Sequence, residues 1–316
     1  SFFGGGTDYN AWFEEHGGVV LAAAIARYCY ISVRRLPPFF DHKSRIVYSV
    51  IESVSDHAKI QHPAVRGCLN YLKFDDGLEI HHDGDLPARS GIGSSSSFTV
   101  GLLHALHGLR ARLVDKRELA EQAIHVEQVV LQESVGVQDQ IMAACGGFQI
   151  LELGPGNKWE TQELLASDGY LESIEQHVLM GFSGISRTAD KHAKDTIDNI
   201  RVGKTTPELM EIQAIASEAV KLVKRQGNIE DLGRLLDKSW RLKRQLADGL
   251  SLDWGDDLYE TGLRNGAFGG KLMGAGGGGF FFFLAPPYRH EAIKEALPRI
   301  KVWVPFKIDH SGSRVI

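Results

Sequence analysis

The spacing of apolar residues changes along the chain, from short alternation near its start to helical periodicity towards its end. Apolar and polar residues alternate within 19–36 and 45–53, which predicts strands. Recurrence every three or four positions predicts long amphipathic helices over 188–201, 207–226, 229–247 and 256–265. A strand, a loop and a second strand are predicted over 271–285. Strands mixed with helices, followed by helices with few strands, indicate an α+β fold in two domains, which we place at 1–170 and 171–316.

Composition narrows the class of protein without naming a reaction. With 316 residues, 43% of them hydrophobic and 24% charged, the chain has the make-up of a globular enzyme. Its formal net charge of −5 gives no reason to expect a nucleic-acid partner, and no apolar run is long enough to predict a membrane span. The three cysteines are scattered without metal-ligand spacing, which indicates a reducing, cytoplasmic setting. The oligomeric state stays open, a homodimer included.

The central feature of the first half is the stretch from Pro87 to Leu103, which reads PARSGIGSSSSFTVGLL. A glycine loop precedes four serines and an apolar run, so a helix is predicted over 95–109, with Ser94 or Ser95 capping its first turn. The N–H groups of that turn and the positive end of the helix dipole would point towards an anion, which we expect to be a phosphate. The serine hydroxyls would suit a hard cation such as Mg²⁺. An ordinary glycine–serine loop before a core helix is the alternative.

Two further glycine-rich segments favour the phosphate interpretation. Near the start, three glycines precede Asp8 in SFFGGGTDY, although aspartate is also a common turn residue. Near the end, 274–279 formally match the G-x-G-x-x-G dinucleotide pattern, but a strand-like aromatic run follows where that pattern requires a helix. We therefore reject a dinucleotide site. Four consecutive glycines are better explained by close packing of backbone against a ligand or another loop.

A pair of carboxylates supplies chemistry that phosphoryl transfer needs. Glu127 lies on a helix predicted over about 115–134, and Asp139 follows at the start of a short helix predicted over 137–145. Two carboxylates converging on a phosphate loop would suit Mg²⁺ binding and proton abstraction. Phosphoryl transfer requires an in-line hydroxyl, a metal ion that neutralises the phosphate oxygens, and accurate positioning. A helix cap is the alternative interpretation of Asp139.

Three motifs in order, SFFGGGTDY, PARSGIGSSSS with GVQDQ, and KLMGAGGGGF, resemble the signature motifs of the GHMP small-molecule kinases. The resemblance spans nearly the whole chain. It is strongest to the sugar kinases that phosphorylate the anomeric hydroxyl of D-glycero-D-manno-heptose 7-phosphate, whose relatives act on fucose or galactose. It implies an N-terminal domain like ribosomal protein S5 domain 2 and a ferredoxin-like C-terminal domain, with the active site between them. It also implies an enzyme that uses ATP and Mg²⁺.

The resemblance further implies a role for each motif residue. ATP phosphates would be bound by Pro87, Gly91, Ile92, Gly93, Ser94, Ser95 and Ser96. Ser95 and Glu127 would hold Mg²⁺. Asp139 would be the base, or the orienting carboxylate, for the sugar hydroxyl. The acceptor would be bound by Gly5, Gly6, Thr7, Asp8 and Asp139, and by Gly276 and Gly277 on the far side of the site.

Charge recognition of the acceptor leaves several alternatives open. Arg187, near a predicted helix start, is a hypothesis for the 7-phosphate, because a guanidinium can bind phosphate bidentately; a solvated arginine is the alternative. The family usually carries a cationic residue on its first strand, at a position that would precede Ser1. Either a longer chain supplies it or the site lacks it. The rival functions are a kinase of unphosphorylated fucose or galactose, and a non-catalytic sugar and ATP sensor of the same fold.

Overall fold

Three sheets organise the chain in the computed structural model, which describes residues 1–88, 90–184, 190–247, 253–274 and 278–316. The strands are β1 (Gly18–Ala23), β2 (Cys29–Arg35), β3 (Ser44–Val47), β4 (Ile51–Val54), β5 (Leu78–Gly84), β6 (Phe148–Gly154), β7 (Lys158–Glu163), β8 (Val178–Phe182), β9 (Gly269–Leu272), β10 (Phe280–Leu284) and β11 (Val302–Val304). The helices are α1 (Asn10–His16), α2 (Pro63–Tyr71), α3 (Ser94–Leu109), α4 (Lys116–His125), α5 (Gln138–Cys145), α6 (Asp168–His177), α7 (Asp190–Arg201), α8 (Thr206–Lys224), α9 (Ile229–Lys243), α10 (Asp253–Arg264) and α11 (His290–Ala296).

The alternating segments predicted as single strands are each divided in two. Residues 19–36 contribute β1 and β2, which belong to different sheets: β1 pairs with β6, whereas β2 pairs with β5. Between them the backbone bonds to distant segments, since the N–H of Ala24 donates to Gly147 O and that of Ala26 to Lys307 O. Residues 45–53 form a hairpin of β3 and β4. Period-two alternation therefore located the extended segments and missed the breaks.

The third sheet has the order β11-β8-β10-β9, with every neighbouring pair antiparallel. In chain order its strands lie as fourth, first, third and second, the ferredoxin-like arrangement, with α7 to α10 between the first two strands and α11 before the last. The first sheet, β1-β6-β7, is antiparallel, and the second, β2-β5-β3-β4, contains one parallel pair, β3 with β5. The predicted α+β class is confirmed.

One apolar core joins the first sheet to the third and fixes the chain that enters the first glycine motif. Phe2 packs on Phe148 of β6 and on Phe282 of β10, with ring centroids 5.2 and 4.9 Å apart. Phe3 is fully buried and bridges to Leu21 of β1. Both phenylalanines are buried, and Lys271 of β9 donates to Phe2 O, so the first glycine motif begins next to the third sheet.

The helix that carries Glu127 departs from its predicted form. It begins as expected, since Asp115 accepts from the Glu118 N–H at 2.8 Å. Regular α4 ends at His125, however, and Val126–Val130 continues as a π-helical segment. Such segments are frequent at functional sites, because the extra residue per turn redirects side chains.

The boundary predicted between residues 170 and 171 falls inside α6, which links β7 to β8, and it stays a prediction. Within the described residues, no helix combines the length and apolar character that crossing a bilayer requires. All three cysteines are free thiols.

Candidate active site

The second and third glycine motifs meet through their backbones. Gly91 and Gly274 have φ of 81° and 77°, the left-handed region that favours glycine. A Cβ on Gly274 would lie 2.6 Å from Gly91 Cα, and a Cβ on Gly279 would lie 2.3 Å from the carbonyl oxygen of Ser90. These glycines therefore pack against another loop, which confirms that prediction for the part of the motif that the structure describes.

Helix α3 begins one residue earlier than predicted, and its N-cap is Gly93, not a serine. The expected serine cap is wrong because Gly93, at φ 77° and ψ 21°, turns the chain directly into the helix and makes Ser94 the first helical residue. Gly93 itself has no side chain with which to cap the turn. The N–H groups of a helix start are the donors that an anion would use.

Asp139 lies at the start of α3 although it belongs to the first turn of α5. A Cβ on Gly93 would come within 3.2 Å of Asp139 Cγ and 3.4 Å of its Oδ2, so the carboxylate sits against the turn that begins the serine run. Burial raises the pKa of Asp139, and the nearby negative charge of Asp8 raises it further, whereas Lys243 and Lys271 act in the opposite direction. A carboxylate with a raised pKa beside a helix start is suited to accept a proton.

Asp8 joins the first motif to the segment before α5. It is 4% exposed, and its Oδ1 accepts from the Gly6 N–H at 2.9 Å. Its backbone oxygen accepts from the Val137 N–H at 3.1 Å, and a Cβ on Gly136 would lie 1.9 Å from its Oδ2. The absence of a side chain at Gly136 is thus what admits the Asp8 carboxylate to this position.

Glu127 is fully buried beneath the start of α3. Its Oε2 accepts from Ser96 Oγ at 2.9 Å and from the side-chain amide of Gln140, while Oε1 is buried and has no hydrogen-bond partner among the described residues. Burial raises the pKa of Glu127 to about 7, against the effect of its hydrogen bonds. A buried carboxylate oxygen without a partner is costly, so a cation ligand is a natural complement.

The residues present fit a magnesium ion. Within the described ranges, no group of three or more His, Cys, Asp or Glu could hold a metal ion. That finding is compatible with Mg²⁺, which is commonly bound by one or two protein carboxylates, water and the phosphates of its nucleotide. Glu127 Oε1 and a serine hydroxyl of the α3 start would provide the protein ligands.

Two lysines complete the cluster, Lys271 buried and Lys243 half-buried, and neither was predicted as a site residue from the sequence. Lys243, from the last turn of α9, donates to Gly274 O at 2.9 Å, and Lys271, on β9, donates to Phe2 O at 3.3 Å. Burial lowers the pKa of each ammonium, in both cases against the attraction of Asp8 and Asp139. The sequence could have indicated Lys271, because a lysine within an otherwise apolar strand is unusual. Lys243 gave no such indication, because cations are common near a helix C-terminus.

Some predicted site residues make contacts within the protein, and others lie outside the described residues. The hydroxyl of Thr7 bonds to backbone oxygens of Gly4 and Val19, at 2.8 and 3.2 Å, which ties the motif to β1. Ser96 is the serine that contacts Glu127, whereas Ser95, which points about 100° away along the helix, is exposed. The assignment of Ser95 to Mg²⁺ stays a prediction. Arg187, Gly276 and Gly277 lie outside the described residues.

The remaining predicted positions surround the same turn. Pro87 O accepts from Ser90 Oγ at 2.7 Å, closing the loop before Gly91, and Ile92 packs on the core between the sheets. Gly5 adjoins Lys243, since a Cβ there would lie 3.6 Å from its Nζ. The structure thus brings motifs one, two and three together around Asp8, Asp139 and the Lys243 ammonium.

Proteins of known kind share this architecture. Profiles of the GHMP kinases N terminal domain and of the GHMP kinases C terminal domain match residues 46–147 and 219–301, together more than half of the chain. The D-glycero-alpha-D-manno-heptose 7-phosphate kinase of Campylobacter jejuni is 28% identical, over 95% of this chain and 91% of that protein. The bifunctional fucokinase/GDP-fucose pyrophosphorylase of Arabidopsis thaliana is 24% identical, over 97% of this chain and 31% of that protein.

A solved structure has the same fold. The D-glycero-D-manno-heptose 1-phosphate kinase from Bacteroides thetaiotaomicron superposes with a TM-score of 0.79 at 22% identity, covering 98% of this chain and 94% of that one. With the two profiles, this shows that the chain belongs to the GHMP kinases, enzymes that use ATP and transfer phosphate to a hydroxyl group. Within that family it is a sugar kinase.

Proposed function

We propose that this chain transfers the γ-phosphoryl group of ATP to the anomeric hydroxyl of D-glycero-D-manno-heptose 7-phosphate, giving ADP and the 1,7-bisphosphate. The observation that carries the proposal is the meeting of Asp139 with Gly93 at the start of α3, with Asp8 close by. The relative from C. jejuni, matched over nearly all of both chains, bears the name of a heptose 7-phosphate kinase and supports this choice of acceptor.

Each group in the site has one task in this proposal. The first turn of α3, which begins at Ser94, binds ATP phosphate oxygens through its N–H groups, and Asp8 accepts from acceptor hydroxyls. Mg²⁺, when held by Glu127 and a serine hydroxyl, would neutralise charge on the phosphates. Asp139 orients the anomeric hydroxyl and takes its proton. The hydroxyl oxygen forms a bond to the γ-phosphorus, the bond from the γ-phosphorus to the β–γ bridging oxygen breaks, and ADP leaves with that electron pair.

A panel of acceptors tests the substrate. The purified chain is incubated with ATP, Mg²⁺ and, separately, heptose 7-phosphate, fucose, galactose and mevalonate, while ADP release is followed. We expect the highest kcat/KM with the heptose, and a ³¹P spectrum of the product that shows one new phosphate on the anomeric carbon. Preference for fucose or galactose would refute the choice of acceptor. That outcome is the main rival, because the described residues include no assigned contact for a 7-phosphate and a fucokinase is among the relatives.

The role of Asp139 has its own test. Asp139→Asn keeps the shape of the side chain beside Gly93 and removes its capacity to accept a proton, so kcat should fall by about 10²–10⁴-fold while ATP affinity is retained. Glu172→Gln, an exposed carboxylate on α6, is the matched control and should leave turnover unchanged. Near-normal turnover in Asp139→Asn would remove that residue from the mechanism. ATP binding without ADP release by the wild-type chain, with every acceptor, would favour a sensor.

A further inference from the structure

Four charged side chains surround the acceptor space without pairing: Asp8 and Lys271 are buried, and Asp139 and Lys243 are half-buried. Asp8 and Asp139 act electrostatically on Lys243 and Lys271, yet within the described part of the chain none of these four side chains forms an ion pair within 4.0 Å. Buried charges are normally paired, because desolvation is expensive. Opposite charges held apart in this way leave room for a polar ligand between them.

Lys243 is the lysine whose ammonium lies at the meeting point of the three motifs. Its Nζ is 2.9 Å from Gly274 O and would be 3.6 Å from a Cβ on Gly5. Gly274 in turn packs on Gly91, since a Cβ on Gly274 would lie 2.6 Å from Gly91 Cα. The Lys243 ammonium therefore contacts Gly274, which itself packs against the loop that precedes α3. An ammonium has three N–H donors, and Gly274 O uses one of them.

Lys271 is placed differently. It is 5% exposed and donates to Phe2 O and, at 3.4 Å, to Ser1 Oγ, so its ammonium is directed at the chain preceding the first motif. Lys243 is only half-buried, at the end of a helix that none of the three motifs includes. Of the two, Lys243 has both the donors and the access to contact a bound ligand.

We propose that Lys243 is a catalytic residue that donates to the oxygens of the γ-phosphoryl group during transfer. The proposal rests on the phosphoryl transfer of the proposed function and adds no bond to it. Charge in the transition state spreads over three equatorial oxygens, where a fixed cation stabilises it. The phosphate of the acceptor is the less suitable target, because in a heptose 7-phosphate it lies at the far end of the sugar from the anomeric oxygen, whereas Lys243 adjoins the phosphate loop.

Kinetics of three variants test this assignment. Lys243→Met removes the charge and keeps most of the packing, Lys243→Arg keeps the charge, and Lys238→Met changes an exposed lysine on the same helix. We expect Lys243→Met to lower kcat by about 10²–10³-fold with KM values within a few-fold of wild type, Lys243→Arg to recover part of kcat, and Lys238→Met to match wild type. A loss of affinity confined to the phosphorylated acceptor, with kcat unchanged, would overturn the proposal and place Lys243 on the acceptor phosphate.

A second measurement needs no acceptor. ADP with aluminium fluoride mimics the phosphoryl group in transfer, so we expect Lys243→Met to bind it at least tenfold more weakly than wild type while binding ADP alone equally well. Equal binding of both by the variant would refute the assignment. If the wild-type chain phosphorylates a sugar other than the heptose, the proposed acceptor fails, and the same variants are tested with that sugar. Melting curves of each variant separate loss of fold from loss of function.

Discussion

Gly136→Ala should displace the Asp8 carboxylate and leave the rest of the site in place. The added Cβ would lie 1.9 Å from Asp8 Oδ2, where ordinary contacts begin near 3.4 Å, so the carboxylate has to retreat by about 1.5 Å. The atom in the way is the far end of a side chain, which can rotate, whereas the nearest backbone atom, Asp8 O, would be 3.1 Å away and needs only a small adjustment. A retreat of that size also breaks the 2.9 Å bond from the Gly6 N–H.

The expected loss follows from the hydrogen bond that Asp8 makes to the acceptor in our proposal. A hydrogen bond to a charged group contributes about 1.5–3 kcal/mol, which corresponds to roughly a 10–100-fold change in affinity. The acceptor KM should rise by that factor, and the ATP KM should change by less than about twofold, since the contact of Asp139 with Gly93 is untouched. Steady-state kinetics with each substrate varied in turn, beside Asp8→Asn, measure both constants.

Gly169→Ala is the matched control, because a Cβ there meets nothing within 4 Å. It should leave both KM values unchanged and raise stability slightly, as removal of a helical glycine usually does. If Gly136→Ala left the acceptor KM at the wild-type value while Asp8→Asn raised it, the calculated displacement would be wrong. If neither substitution changed acceptor binding, Asp8 would have no part in it.

Two further predictions concern stability. Gly274→Ala should destabilise the fold by about 1–3 kcal/mol, visible as a lower melting temperature, because the left-handed backbone and the 2.6 Å approach to Gly91 Cα both resist a side chain; an unchanged melting temperature would contradict the backbone contact. His57 is held neutral, since burial lowers its pKa below the usual 6.5, so the folded state binds fewer protons than the unfolded state and stability should fall as pH drops below about 6.5. Denaturant unfolding at pH 7.5, 6.5 and 5.5 should show a smaller decrease for His57→Gln than for wild type, and an equal slope would refute the assignment.

The sequence alone predicted a local feature where the backbone conformation at that position favours one type of residue. The glycine-rich segment near the end of the chain predicted close packing of backbone against a ligand or another loop, and the structure places Gly274 and Gly279 against Gly91 and Ser90. The aspartate at 115 announced a helix start, and it accepts from the Glu118 N–H. The serine run also predicted a helix start, but the N-cap residue is Gly93 and not a serine. Glycine adopts the positive φ of this turn, and the helix begins directly after it.

Features of the site that depend on tertiary contacts could not be predicted from the sequence. Nothing local distinguishes Lys243 from the exposed Lys238 on the same helix; the difference arises only when the end of α9 meets the loop after β9. Which serine contacts Glu127 depends on the rotation of α3 about its axis, which tertiary packing sets and the run of four serines does not reveal. The π-helical segment around Glu127 likewise has no periodic signature in five residues.

The arrangement of charges implies that the site is completed by its ligands. Burial and the like charge of Asp8 raise the pKa of Asp139, and the two lysines nearby form no ion pair with either carboxylate within the described ranges. The backbone contacts of Gly91, Gly274 and Gly279 hold the loops around these groups against one another. A bound sugar and nucleotide would form hydrogen bonds with these charged groups that no protein group provides. Binding should therefore stabilise the fold as well as position the reacting groups.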